Sequence, residues 1–481
     1  METGLCIYLP KEIRNLLVDR KHWFLSTLCG LPPRFYLFYH TFIYVDSNPI
    51  GSRGEYPGDD DASDIYQELD HAPANTLGTY LDGINDGVES LEEYQGGGFH
   101  PIHLGDFLGP DDHYRVIHKL GYGGFGTVWL CRDTKSSTYV AVKVMNGDVT
   151  PEKVPDLTLI NLDKSIPGAE YIAIPLDNFE VTGPNGTHQC IVLPVLGPCV
   201  SPNLWLKLDQ DPATVLRKMA KQTAQALNFL HKNKICHGDF RPSNILVKLT
   251  NLYDLSEDEL LTLIGTPIQS QVKSELGDDL PAGSPNYLVP RADISDLGSE
   301  YLTDEICVID FGESYPVNSA PDNLGIPENY LPPDILLQNE EEPLKDINGA
   351  ACDVWALGCT LFEIRQQIPL FYMIYDRDEL VAEYVRFFGK LPESWWNEWA
   401  GREDWFDEKG RYLRDLDNKD EWSLEVALSK PSEVVDPVKK VLSTDEKEQK
   451  VLADLLYKVF QYEPGKRLSV EEVLRNEWFK L

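Results

Sequence analysis

The chain has 481 residues, enough for two to four folding units at about 100–200 residues each, and its 42% apolar share is that of an ordinary globular protein. Its charge is not ordinary: 78 acidic residues against 43 basic ones leave a formal charge of −35. That excess argues against binding to nucleic acid or to an anionic membrane, both of which ask for a basic face. It suits basic peptides, although solubility alone is the plainer reading of the same charge.

Residues 1–56 read as a leader without a strong pattern. The apolar stretch Trp23 to Val45 is broken by Pro32, Pro33, Arg34 and His40, so it lacks the about 20 apolar residues of a membrane span. Lys11, Arg14, Arg20, Lys21 and Arg34 fit either a weak mitochondrial-type signal or a misplaced start codon. Residues 57–93 are acidic and rich in small side chains, Asp59-Asp60-Asp61 above all, and are expected to be disordered. The nine cysteines are scattered and include no CxxC pair, which reads as reduced intracellular thiols and not as a disulfide frame or a zinc site.

Residues 94–113 lead into the first of three runs rich in β-branched and aromatic residues: Tyr114 to Leu120, Gly126 to Cys131 and Tyr139 to Met145. Polar or glycine-rich turns separate them, as in an antiparallel meander. Tyr171 to Phe179 and Gln189 to Val195 are further strand candidates, divided by the turn Gly183-Pro184-Asn185-Gly186. Helices follow. Asp211 caps one with Pro212 at its first position, and Val215, Met219, Thr223, Leu227 and Leu230 mark its apolar face. Leu452, Leu455, Leu456 and Val459 repeat that spacing, and Ser469 with Glu472 forms a capping-box pattern for a last helix. The plan is α+β, a small β-rich lobe at 114–197 and a large α-helical lobe at 198–481, with a spacer at 250–303. Leu260, Leu261 and Leu263 there suggest packing on the large lobe, with partner docking as the other reading.

Four fragments carry chemistry. Gly121-Tyr122-Gly123-Gly124-Phe125-Gly126-Thr127-Val128, preceded by Leu120, is a glycine-rich loop between strands, where missing side chains let backbone N–H groups approach phosphates. Alone it reads equally as a hairpin turn, and a Rossmann loop is excluded because a strand follows. Ala141 and Lys143 share one face of the third strand: Ala141 leaves room for a flat base, and Lys143 reaches toward phosphates. A strand lysine by itself is more often a solvated one. His237-Gly238-Asp239-Phe240-Arg241-Pro242-Ser243-Asn244 offers a carboxylate, a guanidinium and an amide. Asp310-Phe311-Gly312 follows the apolar run Ile306 to Ile309. The order of the four is the order phosphoryl transfer from a nucleotide requires. Pro333-Asp334, Asp353-Val354-Trp355-Ala356-Leu357-Gly358 and Arg467, a buried partner for Asp334, complete the frame.

With these motifs in place the sequence resembles the eukaryotic protein kinases, and among them the SR-protein kinases of the fungal branch. The second step rests on Gly97 to Asp106, on Thr127-Val128-Trp129-Leu130, on Gly183 to His188, on Leu196-Gly197-Pro198, and on Leu255 to Leu260 and Tyr301 to Glu305 within the long spacer. The resemblance implies a bilobal kinase domain over 114–481, ATP and Mg2+ as cofactors, and a serine/threonine acceptor, which Arg241 supports. It implies Asp239 as catalytic base, Lys143 on the α- and β-phosphates, Asn244 and Asp310 on magnesium, and Leu246 in the nucleotide pocket. It also implies Arg/Ser-rich protein substrates, a part in splicing, a monomer, and a place in cytoplasm and nucleus.

Two departures matter. Gly238 replaces the arginine that usually precedes the catalytic aspartate, so no cation waits there for an activation-loop phosphate, and activity without phosphorylation is expected. Proline at 151 and 155 disturbs the helix that should pair with Lys143; Asp156 aligns best as its partner and Glu152 second. A small-molecule kinase of the aminoglycoside or choline type shares the H-G-D-x-x-x-x-N pattern but lacks the D-F-G and D-x-W-x-x-G elements. A pseudokinase scaffold is the non-enzymatic alternative.

Overall fold

The computed structural model describes residues 74–82, 87–277, 279–339, 342–345, 347–374, 376–413, 423–435 and 439–481. The leader, the aspartate run at 59–61 and most of the segment expected to be disordered lie outside them. No helix among the described residues is long and apolar enough to cross a membrane.

The described chain opens with a short strand, β1 (Thr79–Leu81). The small lobe then forms a six-stranded antiparallel sheet from β2 (Phe107–Leu108), β3 (Tyr114–Gly123), β4 (Gly126–Asp133), β5 (Thr138–Gly147), β6 (Asp177–Gly183) and β7 (Gly186–Pro194), in the order β2-β3-β4-β5-β7-β6. Period-two alternation sends Val140, Val142 and Val144 into one core with Trp129, Cys131, Cys190 and Val192. Ile102 and Leu108 of the lead-in cover that core from outside, each such buried side chain contributing about 1.5–3 kcal/mol. The Pro184-Asn185 turn joins β6 to β7, with Gly183 paired to Gly186. The strand expected from Tyr171 starts later, at Asp177; Ala169–Tyr171 is a single 3-10 turn, and Ile172 bridges to Val308 instead.

Past β7 come β8 (Leu196–Cys199), β9 (Ile235–Cys236), β10 (Ile245–Leu249), β11 (Ser270–Ser274), β12 (Tyr287–Leu288), β13 (Leu302–Val308) and β14 (Tyr315–Pro316). The spacer does not pack as the sequence suggested. Its helix Glu257–Ile264, closed by a Ser256/Glu259 capping box, buries Leu260 and Ile264 against Ile117, Leu130 and Tyr139 of the small lobe. Its strand β11 pairs antiparallel with β1, Leu81 opposite Val272, and β12 completes that sheet. The expectation of disorder through Glu93 is therefore corrected for residues 74–82 and 87–93. Leu91, Tyr94 and Phe99 share a small core with Val272 and Leu288, a partnership between distant segments that no local pattern announces.

The large lobe is built on two helices. Asp211 accepts from Thr214 N at 3.0 Å and caps Pro212–Lys232. Gly349–Gln366 is buried on nearly all sides, and its buried charges are partnered: Asp353 by backbone N–H groups, Glu363 by the Tyr330 hydroxyl and Arg365 by Glu448. Glu446–Val459 and Val470–Leu474, the latter with the Ser469/Glu472 capping box, close the lobe. The hairpin Ser432–Val435 with Lys439–Leu442 belongs to a separate unit. All seven described cysteines are free thiols.

Candidate active site

The glycine-rich loop is the tip of the β3–β4 hairpin, with Gly121 opposite Val128 and Gly123 opposite Gly126. Gly126 has φ 144°, and a Cβ there would fall on the Val144 carbonyl, so the fold itself demands glycine. At Gly121, Gly123 and Gly124 the opposite holds: a Cβ would meet no protein atom within 4 Å. Nothing in the chain requires those glycines, which fits a loop whose backbone a phosphate group approaches. Asn146 holds the tip, its side chain donating to Gly124 O at 2.9 Å and its backbone N–H to Phe125 O at 3.1 Å. Phe125 lies over Gly312, where a Cβ would stand 2.8 Å from the ring.

Register explains which side chains line the cleft. Val128 pairs with Lys143 and Leu130 with Ala141, so all four share the inner face. Thr127 points the other way, accepting from Trp129 Nε1 at 2.9 Å, and can offer the cleft only its backbone. Tyr122 and Phe125 stay exposed. Leu246, on β10, packs near Leu193, Leu196 and Ile309 at the join of the lobes. Leu120 packs into the spacer cluster.

Lys143 is buried and its Nζ lies 3.5 Å from Asp156 Oδ2 and 3.3 Å from Asp310 Oδ1. Burial pulls its pKa down, but Asp156 and then Asp310 more than offset this and hold it above the usual lysine value. Asp156 sits on a single helical turn, Pro155–Thr158, because Pro151 and Pro155 divide the segment into short pieces. Asp310 takes the left-handed conformation, φ 59°, which aims its carboxylate at Lys143. Burial raises its pKa, while Lys143 and His237 bring it below the ordinary aspartate value.

The loop after β9 is over-determined. Asp239 accepts from Arg241 Nε at 2.8 Å and from Asn244 Nδ2 at 2.7 Å. The Asn244 amide also donates to Asp239 O at 2.9 Å. Asp353, from the buried helix, accepts from the backbone N–H groups of His237 (2.8 Å) and Gly238 (3.1 Å). Gly238 has φ 80°, and a Cβ there would strike the Glu313 carbonyl. The departure from arginine thus has a backbone reason as well as an electrostatic one. Asp334 pairs with Arg467, whose guanidinium also reaches Ala351 O at 3.1 Å and Tyr462 O at 2.7 Å. His231, Cys236 and Asp353 lie close enough to hold a metal, but Asp353 is already occupied by backbone donors.

The sequence reading missed Lys119. It is fully buried, ion-paired with Glu89 of the segment expected to be disordered, and Glu89 also accepts from the Tyr94 hydroxyl. Lys119 stands 5.0 Å over the Trp129 ring and 5.6 Å from that of Tyr122, and its carbonyl accepts from Ala292 N of the spacer at 2.7 Å. Its only sequence signal was a charge at an inward strand position.

Two lobes with a glycine loop above, and a lysine, two carboxylates and an amide below, define a bilobal kinase. The protein kinase domain family matches residues 114–291 and 297–479. The serine/threonine-protein kinase SRPK of Physarum polycephalum is 26% identical over 423 residues, 84% of this chain and 93% of that protein. SRSF protein kinase 3 of Homo sapiens is 36% identical over 173 residues, 34% of this chain and 30% of that one. Dual specificity protein kinase CLK2 of Mus musculus is 26% identical over 396 residues, covering 78% and 65%. The chain belongs to the protein kinase family, and within that family it is similar to SR-protein and CLK-type kinases.

Proposed function

We propose that this chain phosphorylates serine or threonine in Arg/Ser-rich proteins, using ATP and magnesium held in the cleft described above. Bound Mg-ATP supplies the transferable phosphoryl group and the metal charge that offsets its oxygens. Asp239 accepts or orients the proton of the attacking hydroxyl, and its hydrogen bonds to Arg241 and Asn244 keep its carboxylate aimed. Asn244 and Asp310 are oxygen donors of the kind magnesium takes. Lys143 holds the α- and β-phosphates, and Arg241 adds positive charge near the transferred group. The small Ala141 and the apolar Val128 and Leu246 accommodate the base.

The observation that carries this reading is the contact of Lys143 with both Asp156 and Asp310. The shortened helix still places an acid beside the lysine, which favours an active kinase over a scaffold. The names of the relatives, together with the charge of −35, support basic substrates through charge complementarity. The same charge disfavours direct nucleic-acid or membrane binding. The test is transfer of radiolabelled phosphate from ATP to an Arg-Ser repeat peptide, with Asp239→Asn as control. Label in the wild-type reaction and loss of at least about a hundredfold in the variant is expected. Equal labelling by both, or by neither, would defeat the proposal.

A further inference from the structure

Among the described residues, Glu313 in the cleft has no hydrogen-bond or ionic partner. Glu313 directly follows Gly312 and is half-buried. Among the described residues no cation or hydrogen-bond donor reaches its carboxylate. Its surroundings are all unfavourable to its charge: burial, then Asp239 and Asp310, push its carboxyl above the ordinary glutamate value.

The position is nonetheless built to hold that group. Behind it, the Glu313 carbonyl packs so closely on Gly238 that only glycine fits there. In front, Gly325 is exposed, and a Cβ on it would stand 2.5 Å from Glu313 Oε2 and 2.8 Å from Oε1. The carboxylate therefore lies between the loop that carries Asp239 and the segment that leads into Tyr330–Pro333, packed against the bare backbone of the solvent-exposed Gly325. The two glycines act together: one removes the cation usual at that point, and the other makes room for the carboxylate itself. A partly buried carboxylate beside two others, with no cation beside it among the described residues, is satisfied best by a cation that arrives with the ligand. A planar guanidinium can engage both carboxylate oxygens, which an ammonium cannot do in the same fork.

We infer that Glu313 is a specificity-determining residue that takes the guanidinium of an arginine flanking the acceptor serine. The inference rests on the reading of this cleft as the phosphotransfer site for Arg/Ser-rich proteins, and it assigns one arginine of that substrate class a partner.

The test compares kcat/KM for peptides with arginine on the N-terminal side of the serine, on the C-terminal side, or alanine on both. Wild type is expected to favour arginine on at least one side. Glu313→Gln is expected to shrink that arginine-to-alanine ratio about ten-fold, mainly through KM. Because the ratio comes from one preparation, a partly unfolded variant does not distort it. Glu313→Arg should invert the preference toward aspartate-flanked peptides. An unchanged ratio in both variants, with wild type still favouring arginine, overturns the role of Glu313 and leaves the substrate class standing. A wild type that labels serine with no arginine preference at either flank overturns both.

Discussion

Lys143 sits between two acids, and their tasks differ. Asp156 is buried and fixed, whereas the Asp310 side chain is 43% exposed and is the one a metal would reach. Asp156→Asn should therefore leave Lys143 drawn toward Asp310 and compete with metal binding there. Steady-state kinetics should show KM for ATP rising and kcat/KM falling about ten-fold or more. Asp156→Glu, one methylene longer across a 3.5 Å gap, should keep most of the activity; no loss in Asp156→Asn would mean that the pair does no positioning. A second residue gives a pH prediction. Glu363, on the buried helix, accepts from the Tyr330 hydroxyl at 2.6 Å, and burial pushes its carboxyl up to about 7. Its folded pKa lies above the unfolded one, so the folded state binds the extra proton, and this contribution is present at low pH and lost as pH rises through about 7. Glu363→Gln should raise the melting temperature at pH 8 more than at pH 5, by an amount corresponding to roughly 3 kcal/mol at most. A pH-independent effect would refute the assignment.

At the scale of elements, the lead-in and the residues just before it, Glu89 among them, are part of the small lobe. Lys119 and Glu89 are an ion pair with no access to solvent. Burial lowers the lysine's pKa, and Glu89 acts against that shift. Removing one partner leaves a buried charge alone, so Glu89→Ala should cost about 3–5 kcal/mol in chemical denaturation, while the apolar double replacement Glu89→Leu with Lys119→Met should recover most of it. Failure of the double variant to recover would place the cost in packing and not in charge. This element also marks where sequence reasoning stops. The alternation of Val140, Val142 and Val144 against Ala141 and Lys143 made the central strands legible, and Asp211-Pro212 made the first large helix legible. The strand Thr79–Leu81 was not, because three residues carry no period and their partner is Ser270–Ser274. The face to which Leu260 and Ile264 turn was hidden for the same reason: amphipathicity shows that a helix packs, and tertiary contacts decide where. In the site, Lys143, Asp239, Asn244 and Asp310 were readable from their order in the chain. Glu313, Glu363 and Lys119 belong to no such pattern, and their meaning comes only from what surrounds them.

For the whole molecule, two lobes made from segments far apart in the chain bring one cation, two carboxylates and an amide to the same cleft. A site of this kind gains its ligand's binding free energy as folding stability, about 2.7 kcal/mol at a ligand concentration one hundred times Kd. The most direct measurement is the thermal unfolding of wild type, Lys143→Met and Asp310→Asn with ATP, each with magnesium and with EDTA. A clear rise for wild type with Mg-ATP, lost with EDTA and lost in Asp310→Asn, with a smaller rise in Lys143→Met, is the predicted result. No nucleotide-dependent rise in wild type, or the same rise in all three proteins regardless of metal, would contradict the convergence of these groups on one nucleotide.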